Sequence, residues 1–456
     1  MPHATATATE SAADAALYAR VSWRLLPFLF LCYVVAYLDR VNVGFAKLQM
    51  LADLRFSDTV YGIGAGIFFL GYFLFEVPSN LLMTRTGARV WIARIMVSWG
   101  LISSALMLAD SAASFYLLRF LLGVAEAGFF PGIILYLTYW YPAQRRARVV
   151  ALFMSAVAVA GVVGGPLSGW IMQSFAGLYG LKGWQWLFLL EGIPSVLVGV
   201  CTLFYLDDGI RSAAWLSEED KLRLERAIAA DRAGQQRLPL GVVFRSAKVW
   251  LLALVYFLFV MGLYGVSFWL PQLIKNTGVK NVLDVGLLTA LPYGVAALAM
   301  VLLARHSDRS GERRWHAAGA AAAGAIGLIV ATIYSDNTVL ALLALSLATA
   351  GILGTFPVFW SLPTAMLGGV AAAAGIALIN SVGNLAGFVS PYLIGAIKDA
   401  SGSPALGVYL LAGSLLCGGL LLLLGVQPAP TEPATATTTT ATATGVSADI
   451  RTQTQQ

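Results

Sequence analysis

The chain has 456 residues, of which 59% are hydrophobic and only 11% are charged, and its mean hydropathy is +0.77. An ordinary soluble domain carries about 25% charged residues, so this composition excludes one and indicates a protein that crosses a membrane many times. The formal net charge of +6 suggests an acidic partner. Its cations, however, fall in short loops between apolar runs, and cations in such loops set the orientation of a membrane protein. We therefore expect no nucleic acid as a partner.

The first 20 residues are polar, small and low in complexity, with ATATATESAADAA among them. A secretory signal peptide is basic and then apolar, so this segment is not one. We predict a disordered cytoplasmic N terminus over residues 1–20, and the first apolar run then serves as its own insertion signal.

Apolar runs of about 20 residues, the length needed to cross a bilayer, occur twelve times along the chain. In order they lie near residues 24–46, 59–82, 90–109, 113–140, 147–174, 184–206, 247–273, 283–304, 314–334, 338–365, 370–398 and 404–425. The sequence therefore predicts an all-α integral membrane protein with twelve transmembrane helices in two six-helix bundles, over residues 21–206 and 247–426.

A polar linker, residues 207–246, separates the two predicted bundles. Its apolar residues Leu224 and Ile228 have helical spacing, and Ser217 is a suitable N-cap, so the linker is predicted to contain a surface helix. Residues 427–456 consist largely of Ala and Thr repeats that cannot bury a core, and we predict a disordered tail.

The loop cations are concentrated before the first run and after the second, fourth, sixth and eighth runs. This bias places both termini and the linker in the cytoplasm. The loops after the second and eighth runs resemble each other, as RTGARVWIAR (Arg85–Arg94) and RHSDRSGERR (Arg305–Arg314). We interpret them as equivalent parts of an internal repeat whose charges form a cytoplasmic gate, with the members Arg85, Arg89, Asp308, Arg309 and Arg313.

Among the charged residues inside apolar runs, four form two pairs: Asp39 and Arg40 in the first run, and Arg119 and Glu126 in the fourth. A charge near the bilayer centre costs about 2.5–3.5 kcal/mol, which indicates a function. Arg119 and Glu126 are about two helical turns apart and share one face. We expect the four to converge on one cavity. Protonating the carboxylates would then leave the arginines free for an incoming carboxylate, so that proton and anion binding are coupled.

Structural interpretations of these charges remain open. The first-run pair is also compatible with an interfacial ion pair, and the fourth-run pair with a lock between helices. Glu76, beside Pro78, is interpreted as a structural or gating residue rather than a substrate ligand. Glu191 is interpreted as a packing partner within its half.

Four segments carry a resemblance to a known family: YLDRVNVGFA (37–46), GYFLFEVPSNLLMTRTGAR (71–89), RFLLGVAEAGFFPG with YWYPAQRRAR (119–132 and 139–148), and HSDRSGERRWH (306–316). With them the chain resembles the major facilitator superfamily and, within it, the anion:cation symporter family of bacterial sugar-acid and tartrate carriers and animal vesicular transporters. The resemblance extends from about residue 20 to 425. The seventh run lacks the arginine expected of the vesicular members, which favours the bacterial organic-acid branch.

The resemblance implies a monomeric secondary transporter of a bacterial inner membrane, with no enzymatic activity, cofactor or metal. It would import a small carboxylate, such as a sugar acid or tartrate, by proton symport with alternating access. It implies protonation at Asp39 and Glu126, substrate binding by Arg40 and Arg119, and a lining of Tyr37, Tyr72, Trp360 and Asn380. The alternatives are an anion exchanger or a sodium-coupled carrier of aromatic or other carboxylates, and a membrane sensor that does not transport.

Overall fold

The computed structural model describes residues 12–233, 245–366 and 369–426, and the regular elements in those ranges are all helical. The first half contains α1 (Ala12–Leu54), α2 (Asp58–Thr86), α3 (Ala88–Ala105), α4 (Ala112–Glu126), α5 (Phe129–Thr138), α6 (Ala143–Met154), α7 (Ala156–Ser174) and α8 (Gly183–Tyr205). The linker contains α9 (Glu218–Ala233). The second half contains α10 (Ala247–Asn276), α11 (Val282–Ser310), α12 (Arg314–Ile333), α13 (Thr338–Met366), α14 (Gly369–Asn384), α15 (Ala386–Ser401) and α16 (Ala405–Gly425).

The prediction of twelve transmembrane helices is confirmed, because twelve helical segments of the described chain are long and apolar enough to cross a membrane. Three of them are each built from two helices: the fourth span is α4 with α5, the fifth is α6 with α7, and the eleventh is α14 with α15. Below, the N-half means the first six spans and the C-half the last six.

The predicted disorder of residues 1–20 is wrong for residues 12–20, which form the start of α1. Leu17 and Tyr18 are buried there, and the Tyr18 ring stacks on Tyr141. Tertiary packing of these two side chains therefore extends the first helix beyond the apolar run that crosses the membrane. Residues 1–11 and the predicted tail, 427–456, lie outside the described residues.

The linker helix α9 begins where the sequence places it. The Ser217 hydroxyl accepts a hydrogen bond from the Asp220 amide at 3.1 Å, as an N-cap does. Leu224 and Ile228 are buried, so α9 lies against the protein by its apolar side.

The helices cross the membrane alternately, which defines two faces. The near face carries the linker and the ends of the described chain at residues 12 and 426. The far face is formed by the connections 55–57, 109–111, 175–182, 277–281, 334–337 and 402–404.

The two halves meet most closely in the part of the membrane next to the far face. There α2 packs on α15, α7 on α11 and α1 on α10. Glycines allow this approach: a Cβ on Gly62 would lie 2.4 Å from the Pro391 carbonyl oxygen, and one on Gly165 would lie 2.6 Å from that of Gly286. Small residues let membrane helices pack backbone to backbone, so these contacts close the far side of the molecule.

The fourth span is interrupted immediately after Glu126. Gly128 has a φ of 87°, in the left-handed region, and a Cβ at this position would lie 2.4 Å from the Ser79 hydroxyl oxygen. Glycine is therefore required both by the turn and by the contact with α2. The break leaves the Glu126 side chain at the end of a helix in the interior of the protein.

Candidate functional site

The centre of the structure contains an ion pair between Arg40 on α1 and Glu126 at the end of α4. Both residues are buried, with exposed fractions of 7% and 1%. The second terminal nitrogen of Arg40 donates a hydrogen bond to the Tyr264 hydroxyl of α10 at 3.3 Å. The Arg40 guanidinium thus joins a carboxylate of the N-half to a phenol of the C-half.

Aromatic rings enclose this guanidinium. The Phe68 and Tyr72 ring centroids lie 5.4 and 5.7 Å from Arg40 Cζ, within the range of cation–π attraction. On the C-half side, the Tyr264 ring packs against Phe69 with 4.3 Å between centroids. Water is therefore largely excluded from the pair, and its electrostatic attraction is correspondingly strong.

Asp39 is adjacent to Arg40 in sequence but faces the interior of the N-half. Its carboxylate accepts hydrogen bonds from the Trp99 indole at 2.8 Å, from the Ser103 hydroxyl at 2.9 Å, and from the Ser195 hydroxyl. These donors belong to α3 and α8. Asp39 therefore connects three helices of one half and does not join the Arg40–Glu126 pair.

Arg119 shares α4 with Glu126 but binds backbone. Its guanidinium donates to the Gly64 carbonyl at 3.1 Å and the Ala65 carbonyl at 3.0 Å, both on α2. It is fully buried and lies 5.2 Å from the Phe68 ring centroid. These contacts hold α4 on α2 beside the ion pair.

The other predicted lining residues are distributed over two places. Trp360 contacts the Tyr256 ring edge-on with 4.8 Å between centroids, and Asn380 is partly buried on the neighbouring α14. Tyr37 instead packs with Val41 and with Ala160 of α7, and it also interacts with Ser267 of α10. Tyr72 therefore lies directly against Arg40, Trp360 and Asn380 lie on the C-half beside Tyr256, and Tyr37 lies between α1 and α7.

The predicted gate residues lie on the near face, in their own halves. Arg313 pairs with Asp308 at 2.5 Å, and the Arg89 amide donates to the Asp208 carboxylate at 2.9 Å. Among the described side chains, no ion pair connects Arg85 or Arg89 to the turn that contains Asp308, Arg309 and Arg313.

The far face contains an ionic cluster, here called the far-face seal and defined by Lys47, Asp58, Trp269, Lys398 and Asp399. Asp58 of the N-half is held between Lys47 at 2.7 Å and Lys398 of the C-half at 2.8 Å. Lys47 Nζ also lies 3.0 Å from the Trp269 ring centroid. Asp399 of the C-half accepts the amides of Asp58 and of the next residue at 3.1 and 2.7 Å, at the start of α2.

The sequence reasoning missed Tyr264 and Lys47. Tyr256 and Tyr264 are eight residues apart, which puts both phenols on one face of an otherwise apolar span, and this spacing is a signal for the site. Lys47 is a single lysine directly after the first apolar run. That isolation is the signal that it has a buried partner.

Comparison with known proteins gives a consistent result. The family model described as Major Facilitator Superfamily matches residues 29–391. A protein of Agrobacterium vitis named "Putative tartrate transporter" is 51% identical over 413 residues, covering 90% of this chain and 95% of its own. A protein of Acinetobacter baumannii named "Quinolone resistance transporter" is 42% identical over 405 residues, covering 88% and 93%.

Among solved structures, the xylose transporter XylE from E. coli superposes with a TM-score of 0.71 at 15% sequence identity. The match covers 89% of this chain and 99% of that one. At this identity the likeness establishes the shared fold.

Asp39→Asn is expected to lower the melting temperature of the purified protein. The asparagine amide has one acceptor oxygen instead of two, and its NH₂ group would face the donors that now bind Asp39. A serine hydroxyl can rotate away from that NH₂ group, but the Trp99 indole N–H cannot. Leaving a buried donor without an acceptor costs about 1–3 kcal/mol. Thermal unfolding in detergent measures the effect, with Asp336→Asn on an exposed loop as the matched control. Equal melting temperatures for the two variants would contradict this role of Asp39.

Proposed function

This chain belongs to the Major Facilitator Superfamily, and from that premise we propose that it imports a small organic anion together with protons, as a member of the anion:cation symporter branch. The observation that carries the proposal is the Arg40–Glu126 pair, which is buried between the two halves and in contact with Tyr264. A buried arginine is the side chain best suited to bind a carboxylate, because its fork donates two parallel hydrogen bonds.

Glu126 occupies the position on Arg40 that a substrate carboxylate would take. In the absence of substrate the ionised Glu126 neutralises the guanidinium. When Glu126 is protonated, Arg40 becomes an unpaired buried cation, and an incoming carboxylate restores the balance of charge. Anion binding and protonation of Glu126 therefore favour each other, which is the thermodynamic requirement for symport.

Asp39 is the second proposed proton site, and it would act by positioning. Its ionised form accepts three hydrogen bonds from α3 and α8. Protonation removes acceptor capacity from this network and weakens the attachment of α1, which carries Arg40. Arg119, with its guanidinium committed to α2 backbone, is proposed to support the site beside Arg40.

The proposed substrate is a hydroxylated mono- or dicarboxylate such as tartrate. Tyr72, Trp360 and Asn380 supply hydroxyl, indole and amide groups around a single arginine. Such a set suits a small anion with several hydroxyls. The relative from Agrobacterium vitis named for tartrate supports this class.

We propose alternating access in which the far-face seal opens as the near face closes. Support comes from the ionic contacts of Lys47, Asp58, Lys398 and Asp399, which close the far side in this conformation. In the opposite state, Arg85 and Arg89 would meet Asp308, Arg309 and Arg313 across the near face. We also propose that the protein lies in a bacterial inner membrane as a monomer, with both termini in the cytoplasm.

Glu126→Gln is expected to abolish proton-driven accumulation while preserving exchange of substrate across the membrane. Glutamine cannot carry the proton, but it leaves Arg40 able to bind the anion. In proteoliposomes, each coupled proton supports about tenfold accumulation per unit of inward pH gradient. Uptake of tartrate with and without this gradient, and counterflow without it, measure the two properties.

The control for this experiment is Glu219→Gln, which changes the same side chain on the exposed face of α9. It should behave as the unchanged protein. Undiminished gradient-driven accumulation by Glu126→Gln would show that this residue does not carry the coupled proton.

Lys47→Met is expected to shift the protein toward a conformation open at the far face. It removes one of the two cations that hold Asp58 and leaves its carboxylate only partly compensated. Spin labels on Tyr179 and Asp336, exposed far-face positions in different halves, report the opening as a larger population of long distances. The measurement is double electron–electron resonance after replacement of the three native cysteines.

The matched control is Lys182→Met, a far-face lysine whose side chain is 62% exposed. It should leave the distance distribution unchanged. A Lys47→Met distribution that coincides with that of Lys182→Met would exclude a role of Lys47 in closing this face.

A further inference from the structure

Glu76 is a buried carboxylate that faces the opposite half of the protein. It lies on α2 with an exposed fraction of 5%. Its Oε2 accepts a hydrogen bond from the Ser381 hydroxyl on α14 at 3.3 Å, and the Asn380 side chain also interacts with the carboxyl group. No ion pair between described residues includes Glu76, which distinguishes it from Glu126.

Its position along α2 relates it to the central site. Glu76 follows Tyr72 by four residues, so the two side chains share a face about 6 Å apart. The Tyr72 ring is 5.7 Å from Arg40 Cζ. Arg40 therefore lies at one end of a short polar path, with Glu76, Ser381 and Asn380 at the other end, toward the near face.

We propose that Glu76 determines specificity by binding the second carboxylate of a dicarboxylate whose first carboxylate is held by Arg40. In its neutral acid form, Glu76 donates a hydrogen bond to that group. In its ionised form, it repels a dianion while leaving a monoanion at Arg40 almost unaffected. This inference rests on the proposed function and names the substrate class as dicarboxylate.

The surroundings of Glu76 favour a change between its neutral and ionised forms. A carboxylate inside the membrane without a paired cation is costly, and the neutral acid avoids this cost while it can both donate and accept hydrogen bonds. The titratable or charged groups that act on it are Arg40 on α1, Tyr72 on α2 and Tyr256 on α10. Among the described side chains of α14, those that interact with it are the neutral Ser381 and Asn380.

The ratio of dicarboxylate to monocarboxylate affinity isolates this effect. Protonation of Glu126 is needed for both kinds of anion at Arg40, so its contribution cancels in the ratio. The second carboxylate alone meets Glu76. Repulsion between two charges about 6 Å apart in a partly desolvated site corresponds to a factor of about 10 to 100 in affinity.

The experiment measures binding of tartrate and of glycerate to the full-length protein in detergent by calorimetry, from about pH 5.5 to about pH 8, where both probes keep their charge. For the unchanged protein the tartrate:glycerate affinity ratio should fall about 10- to 100-fold as the pH rises. For Glu76→Gln, which is always neutral and keeps a donor, the ratio should stay constant and high. For Glu76→Ala, which neither donates a hydrogen bond nor repels the dianion, it should be constant and lie between the two limits of the unchanged protein.

Glu191→Gln is the matched control, because Glu191 is a buried carboxylate that accepts a hydrogen bond from Ser168 inside the N-half. It should keep the pH-dependent ratio. The inference would be overturned if the affinity ratio of Glu76→Gln fell with pH as much as that of the unchanged protein. It would also be overturned if Glu76→Gln changed the melting temperature but not the pH dependence of the ratio, because Glu76 would then have a structural role alone. If neither probe nor any other carboxylate bound, the proposed function itself would fail, and this inference with it.

Discussion

The cost of a charge inside the membrane is the constraint on which this structure depends. Arg119 offsets this cost by donating hydrogen bonds to backbone carbonyls of α2, and Asp39 offsets it by accepting hydrogen bonds from three donors on α3 and α8. Both sets of contacts lie within the N-half and hold its helices together. The Arg40–Glu126 pair differs because it lies where the halves meet and touches Tyr264 of the other half. We therefore propose that substrate and protons act on this pair.

Both ionic contacts and helix packing close the far face. Near the far face, glycines bring backbones into contact, and the far-face seal adds the Asp58–Lys398 ion pair and the hydrogen bonds of Asp399 across the same boundary. Dispersion contacts between small residues are weak individually, whereas the Asp58–Lys398 pair is a single, partly exposed charge contact. This combination is compatible with the alternating access that we propose.

The sequence was sufficient to predict the twelve spans, because the length of an apolar run is set by the bilayer. It was also sufficient to select Arg40 and Glu126, since intramembrane charges are rare. It could not tell that Asp39 and Arg40, adjacent in sequence, face different surroundings, because that depends on which helices pack on each side of α1. Tyr264 escaped notice for a related reason: a tyrosine in an apolar span becomes informative only when its hydroxyl has a known partner. The helical start of α1 at residues 12–20 was missed because two buried side chains, Leu17 and Tyr18, decide it.

The central claim is that substrate displaces Glu126 from Arg40 and that Glu126 takes up a proton when this happens. Titration calorimetry of tartrate binding at neutral pH, in buffers of different ionisation enthalpy, counts the protons taken up per bound anion. The account predicts net uptake by the unchanged protein and about one proton fewer for Glu126→Gln. The same number of protons for both proteins would contradict it.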